Sequence, residues 1–191
     1  MTGTEIYQQA IDKQRILVVG GGNDLIAGLI VHTLTFNNRK FDYIGSGNHS
    51  TVKNNSPVII ANNISQSIDY KHHVVIMGNS TSGMEAAELE QLADATPKGG
   101  TLIYSKADVT INKIGSKERA DIQSIGYEVY KHEQAGGKTK LISSTGDKIP
   151  VELSTESDLL CVSAARELLK KVGITSNQFY NAISAYKSAS I

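Results

Sequence analysis

The chain has one cysteine, Cys161, in 191 residues. An intramolecular disulfide and a cysteine-built zinc cage are therefore excluded. It has no surplus of either charge, since 19 lysines and arginines stand against 19 aspartates and glutamates. A dedicated nucleic-acid binder needs a basic excess to neutralise phosphates, and a polybasic membrane anchor needs one too. Neither a nucleic acid nor a membrane is expected as a partner. No apolar run approaches the length of a membrane span. The first fourteen residues lack the charged head and apolar stretch of a signal peptide, so the expected compartment is the cytoplasm. Among His32, His49, His72, His73 and His132, no pair has helical metal spacing with a carboxylate. On a strand, His72 and His73 would point to opposite faces and could not share one ion. No metal site, no catalytic residue and no nucleophile–base pair is expected.

Against these absences stands a regular alternation of strands and helices. Residues 15–19 form an apolar, β-branched run that ends in Gly20-Gly21-Gly22, which predicts a buried strand feeding a glycine turn. Asn23 or Asp24 is placed to cap a helix over 25–34, and a short helix over 4–11 precedes the strand. Further strands are predicted at 41–44, 57–61, 73–77 and 101–104, with a helix over 84–95. After Ile125 the pattern changes. The short segments 127–130, 140–143 and 148–153, separated by Gly136-Gly137 and Gly146-Asp147, have hairpin chemistry. Two capping boxes, Thr155 to Asp158 and Thr175 to Gln178, open the last two helices. Their apolar stripes are Leu159, Val162, Ala165, Leu169 and Val172, then Phe179, Ile183 and Tyr186. The expected fold is α/β: a mostly parallel sheet with helices on both faces, plus a small antiparallel β addition near 126–153, in a single domain over 1–191.

Two strand-to-helix turns are candidate sites, because ligands settle at the carboxyl ends of parallel strands. At Gly20, Gly21, Gly22, Asn23 and Asp24, glycines allow close backbone approach and a helix start offers free N–H groups to phosphate. A P-loop would also need a lysine and a Ser/Thr hydroxyl, and neither lies between Gly20 and Val31. Asp24 stands there instead, and a carboxylate repels phosphate. The dinucleotide pattern Gly-x-Gly-x-x-Gly fits at Gly20 and Gly22, but Leu25 takes the third position. Asp42 is suitably spaced to be the acid on a ribose. The alternatives are a purely structural turn and a nucleotide site. The second loop, Gly78, Asn79, Ser80, Thr81 and Ser82, could hold a small anion or be a turn with a helix cap. Cys161, within a strong helix, reads as a buried and inert thiol. Asp94, Asp108, Asp121, Glu85, Glu88 and Glu90 read as solvated charges.

The order and spacing of these segments resemble the central domain of the Mur ligases, the ATP-dependent enzymes that build peptidoglycan stem peptides. Within that family they look most like UDP-N-acetylmuramate–L-alanine ligase and murein peptide ligase. Residues 15–21 are similar to the strand entering the family's P-loop, and His32-Thr33-Leu34 to the end of the following helix. Phe41-Asp42-Tyr43-Ile44-Gly45 and 97–104 are similar to two further family strands. Residues 149–153, 158–174 and 179–187 resemble the end of the domain. The departures bear on function. Where the family holds ATP with Gly-x-x-Gly-Lys-Thr/Ser, this chain has Gly22-Asn23-Asp24-Leu25-Ile26. Where the family places magnesium-binding acids it has Ile60-Ala61-Asn62-Asn63-Ile64, without a carboxylate. Of the family's Asn…Asp-His signature, only Asn79 could be related.

The resemblance implies ATP and magnesium as cofactors only if the ligase activity is retained, and none is expected here. Lysine and metal neutralise the phosphate charge on which phosphoryl transfer depends. The expected function is a non-catalytic, degenerate P-loop domain, a pseudoenzyme acting as a binding or interaction module. Its expected partner is a second copy, giving a homodimer, or a Mur ligase or other peptidoglycan-pathway protein. Two other readings stay open. One is a nucleotide- or dinucleotide-binding protein using the Gly20–Asp24 turn, and the other an ATP-dependent ligase subunit completed by a partner.

Overall fold

The computed structural model describes residues 1–45, 52–53, 55–79 and 84–187. Its centre is a six-stranded parallel sheet in the order β2-β3-β1-β4-β5-β6. The strands are β1 (Gln14–Val19), β2 (Asp42–Ile44), β3 (Val58–Asn62), β4 (Val74–Met77), β5 (Thr101–Ser105) and β6 (Gln123–Tyr127). Successive side chains of a strand point to opposite faces, and here both faces are covered. Ile16 and Val18 of β1 face one cluster with Leu29, Leu159 and Phe179. Leu17 and Val19 face a second cluster with Ile6, Leu92 and Ile111. All four strand residues are essentially buried. This double burial is why the central strands are unbroken apolar runs rather than alternating ones.

The first cluster is built on α2 (Asn23–Phe36), α5 (Glu156–Lys171) and α6 (Ser176–Ser184). The second is built on α1 (Gly3–Gln9), α3 (Ala86–Asp94) and α4 (Val109–Gly115). Both expected capping boxes are present. Thr155 Oγ1 accepts from the Asp158 amide at 3.0 Å, and Thr175 Oγ1 from the Gln178 amide at 3.3 Å. Each cap satisfies free donors at a helix start and fixes where the chain turns into the helix. Leu159, Val162, Ala165 and Leu169 are buried as their spacing predicts. Among the described residues no helix is long and apolar enough to cross a membrane.

The chain departs from the sequence reading in three places. Residues 127–130 do not open the antiparallel part. Tyr127 instead ends β6, which pairs parallel with β5 at the sheet edge. Its Gln123 and Ser124 are exposed, so β6 lacks the apolar signature of an inner strand. The small sheet is β7 (His132–Ala135), β8 (Lys138–Ile142) and β9 (Lys148–Val151), paired antiparallel in that order. Asp108 is no loop charge, because it caps α4 by accepting from the Ile111 amide at 2.9 Å. Asn23 and Asp24 do not cap α2. Gly22 does, in the left-handed region and without a side-chain bond.

Gly28 lies inside α2, where a methyl group would meet nothing nearer than the Tyr186 hydroxyl at 3.5 Å. Gly28→Ala is expected to stabilise the chain by about 0.5–1 kcal/mol, because the unfolded chain loses freedom and no contact is strained. Urea unfolding would read this as a raised midpoint with unchanged slope.

Candidate functional site

The candidate turn is short because the strand and helix almost meet. β1 ends at Val19 and α2 begins at Asn23, so only Gly20, Gly21 and Gly22 join them. Gly20 and Gly22 both have left-handed backbones, at φ 87° and 78°. A P-loop needs a longer loop to wrap its amides around a phosphate.

The turn is also closed from outside. The Gly21 amide donates to the Asn79 carbonyl at 2.6 Å, and the Asn79 amide donates back to the Gly21 carbonyl at 3.3 Å. The Gly78 amide donates to the Val19 carbonyl at 2.9 Å. These exchanges stitch the end of β1 to the end of β4 and occupy an amide that a phosphate would require. The Ser105 hydroxyl donates to Asn79 Oδ1 at 2.9 Å, which fixes the asparagine side chain. Behind the turn, the Cys161 thiol lies 3.8 Å from the Gly22 carbonyl. Burial pushes its pKa up to about 11, so the thiol stays protonated and is a poor nucleophile.

At the start of α2 the side chains are neutral or acidic. Asn62, buried at the end of β3, accepts from Asn23 Nδ2 at 2.8 Å. Its own amide donates to Asp24 Oδ1 at 2.8 Å and to the Tyr43 hydroxyl at 3.4 Å. Asp24 thus occupies the helix N-terminus that would otherwise attract an anion. Sequence reasoning noticed Asn62 only for the carboxylate it is not. The available signal was an amide ending an otherwise apolar strand, which has to find partners when buried. Among the described residues, no group of three His, Cys, Asp or Glu side chains is placed to hold a metal ion. A triphosphate finds no cationic side chain beside the turn among the described residues, where the groups are amides and the Asp24 carboxylate.

The structure brings Gly20, Gly21, Gly22, Asn23 and Asp24 together with Gly78 and Asn79. Ser80, Thr81 and Ser82 lie outside the described residues. Asp42, the residue expected on a ribose, does not join the turn. In the sheet register it is level with Ile59 and hence with Arg15, five residues before Gly20. At the strand rise this is roughly 16 Å away, toward the amino end of the sheet. There Asp42 is buried, 3.6 Å from Lys13 Nζ, and accepts the Lys53 amide at 3.0 Å. Lys13 also donates to the carbonyls of Lys53 and Ser56, each at 2.5 Å.

The amino end of the sheet also holds the two adjacent histidines. His73 lies against Arg15, with its Nδ1 3.1 Å from the Arg15 amide. His72 is fully buried, with Nε2 3.1 Å from Thr96 Oγ1 and Nδ1 without a partner among the described residues. Burial, with His73 and Arg15 nearby, lowers its pKa to about 4. The unfolded chain therefore takes up this proton near pH 6.5 and the folded chain only near pH 4. Stability from His72 is full above pH 6.5 and is lost as pH falls toward 4, by about 2–3 kcal/mol. Urea midpoints across that range are expected to show the slope, and His72→Gln to flatten it.

No protein-family profile matches this chain, and no curated protein does. Solved structures do. One is the UDP-N-acetylmuramate:L-alanyl-gamma-D-glutamyl-meso-diaminopimelate ligase from Neisseria meningitides, with a TM-score of 0.72 at 10% identity over 99% of this chain and 71% of that one. A second is the UDP-N-acetylmuramoylalanyl-D-glutamyl-2,6-diaminopimelate–D-alanyl-D-alanyl ligase from Acinetobacter baumannii. There the TM-score is 0.76 at 11% identity, over 98% of this chain and 49% of that one. A third is the folylpolyglutamate synthetase from Lactobacillus casei, at 0.69 and 10% identity, over 96% and 66%. The chain thus spans about half the length of the Acinetobacter ligase. At these identities the likeness is one of fold, and the fold is that of a Mur ligase central domain.

Proposed function

We propose that this protein is a Mur-ligase-like domain that works as a non-catalytic binding or interaction module, with peptidoglycan metabolism as its setting. One observation carries the reading. The three-glycine turn, where a phosphate would have to sit, is closed by its own backbone pairing with Asn79. The side chains around it support the same conclusion. Asp24 and Asn62 stand where phosphate transfer needs cations, and removing one such stabilising group typically costs a factor of about 100 or more in rate. A ligase subunit completed by a partner would still need this turn to open and would still lack its lysine.

The test is ATP turnover by the purified full chain in excess magnesium. No ADP above the buffer rate is expected, and ADP release proportional to protein concentration contradicts the proposal. The same reading takes a second copy of the chain as a partner. Light scattering is expected to give the mass of two chains, and a single-chain mass at high concentration overturns that part.

A further inference from the structure

Beside the glycine turn lies a cavity of about 310 Å³, between the carboxyl ends of β1 and β3 and the start of α3. Its polar wall includes Asn63, Ser65 and Gln66, its apolar part includes Val19, Ile64 and Met84, and Glu88 is the charged residue among the described residues lining it. Among the described residues, no lysine or arginine lines it. The volume is at the lower end of the range for small-molecule sites and suits a ligand of about one ring.

The wall is strained and firmly held. Asn63 and Gln66 have left-handed backbones, at φ 50° and 55°, which cost of order 1 kcal/mol each. Asn63 is tied by its amide to the Val18 carbonyl at 3.2 Å, and Ser65 accepts from the Gly3 amide at 2.9 Å. The Ser67 hydroxyl donates to the Ile64 carbonyl at 2.7 Å, and the Tyr70 hydroxyl to the Ile59 carbonyl at 3.1 Å. A wall held in place by these bonds, at the ligand end of a parallel sheet, keeps the cavity open without a ligand.

We infer that this cavity binds a small uncharged molecule rich in hydroxyl or amide groups, about one sugar ring in size, and rejects phosphate. The inference rests on the reading of the chain as a binding module and names the ligand class of that module. Asn, Gln and Ser each donate and accept, which matches groups that do both. Ile64 and Met84 offer an apolar surface to the C–H face of a ring. A phosphate would meet Glu88, with Asp24 at the adjoining helix start, and no lining cation among the described residues to offset them.

The experiment is an amide-resolved NMR titration of the full chain with D-glucose as the uncharged probe and pyrophosphate as the anionic one. Glucose is expected to shift the Gly20, Asn63, Ser65 and Gln66 amides saturably, while pyrophosphate leaves them in place. Asn63→Gly suits the left-handed backbone and so keeps the fold. It is expected to weaken glucose about fivefold, the loss of roughly one hydrogen bond. Absence of saturable glucose shifts, stronger pyrophosphate shifts at the same amides, or unchanged affinity in Asn63→Gly would overturn the inference. Glucose failure without ATP turnover removes the ligand class alone. ATP turnover removes the module reading, whatever glucose does.

Discussion

Replacing Lys13 with methionine is expected to destabilise the chain by about 4 kcal/mol, because it leaves the Asp42 carboxylate buried without its cation. Lys13 and Asp42 side chains are each only 2% exposed, so water cannot take over from the missing partner. Lys13 also holds the carbonyls of Lys53 and Ser56, and losing it frees both ends of that clasp. The double variant Lys13→Met, Asp42→Leu is expected to recover much of the loss, since removing both charges removes the unpaired one. Urea unfolding of the two single variants and the double variant gives the coupling directly. A loss under about 1 kcal/mol for Lys13→Met would mean that the pair is solvated like a surface pair. The same variants separate a structural Asp42 from a ribose-binding one. A structural role moves the unfolding midpoint, whereas a ligand role would move only an affinity.

Gly78→Ala is expected to cost about 3 kcal/mol or more and to break the turn itself. A methyl group at that position would lie 2.0 Å from the Gly21 carbonyl oxygen. That atom belongs to the paired backbone, so no flexible side chain can yield, and overpacking of this kind is strongly destabilising. The Gly21–Asn79 pairing must separate to admit it. Hydrogen exchange is expected to show the Gly21 amide losing protection in the variant, together with a lower urea midpoint. Unchanged protection at Gly21 would show that the pairing is not what closes the turn.

The parts of this fold that are plain in the sequence are those where one local force decides. Residues 16–19 are buried on both faces and are all apolar, and Gly20 and Gly22 mark a turn that needs a left-handed backbone. Thr155 and Thr175 announce their helices because a cap and its reciprocal partner lie three residues apart. The parts that are not plain depend on distant partners. β6 is a sheet-edge strand whose Gln123 and Ser124 face water, so its pairing with β5 leaves no apolar run to see. Asp42 has suitable spacing for a ribose, yet the register places it at the opposite end of the sheet, beside a lysine 29 residues earlier in the chain. Asn62 and Asn79 gain their meaning from Asp24, Asn23, Gly21 and Ser105, none of which is near them in sequence. The cavity beside the turn was not legible at all, because its walls come from β1, the segment after β3 and α3 together.

The most direct test of the closed turn is isothermal titration of magnesium–ATP into the full chain at low salt, where attraction to phosphate is least screened. No heat of binding beyond dilution is expected up to millimolar nucleotide. A saturable isotherm with micromolar affinity, abolished by withdrawing magnesium, would contradict it.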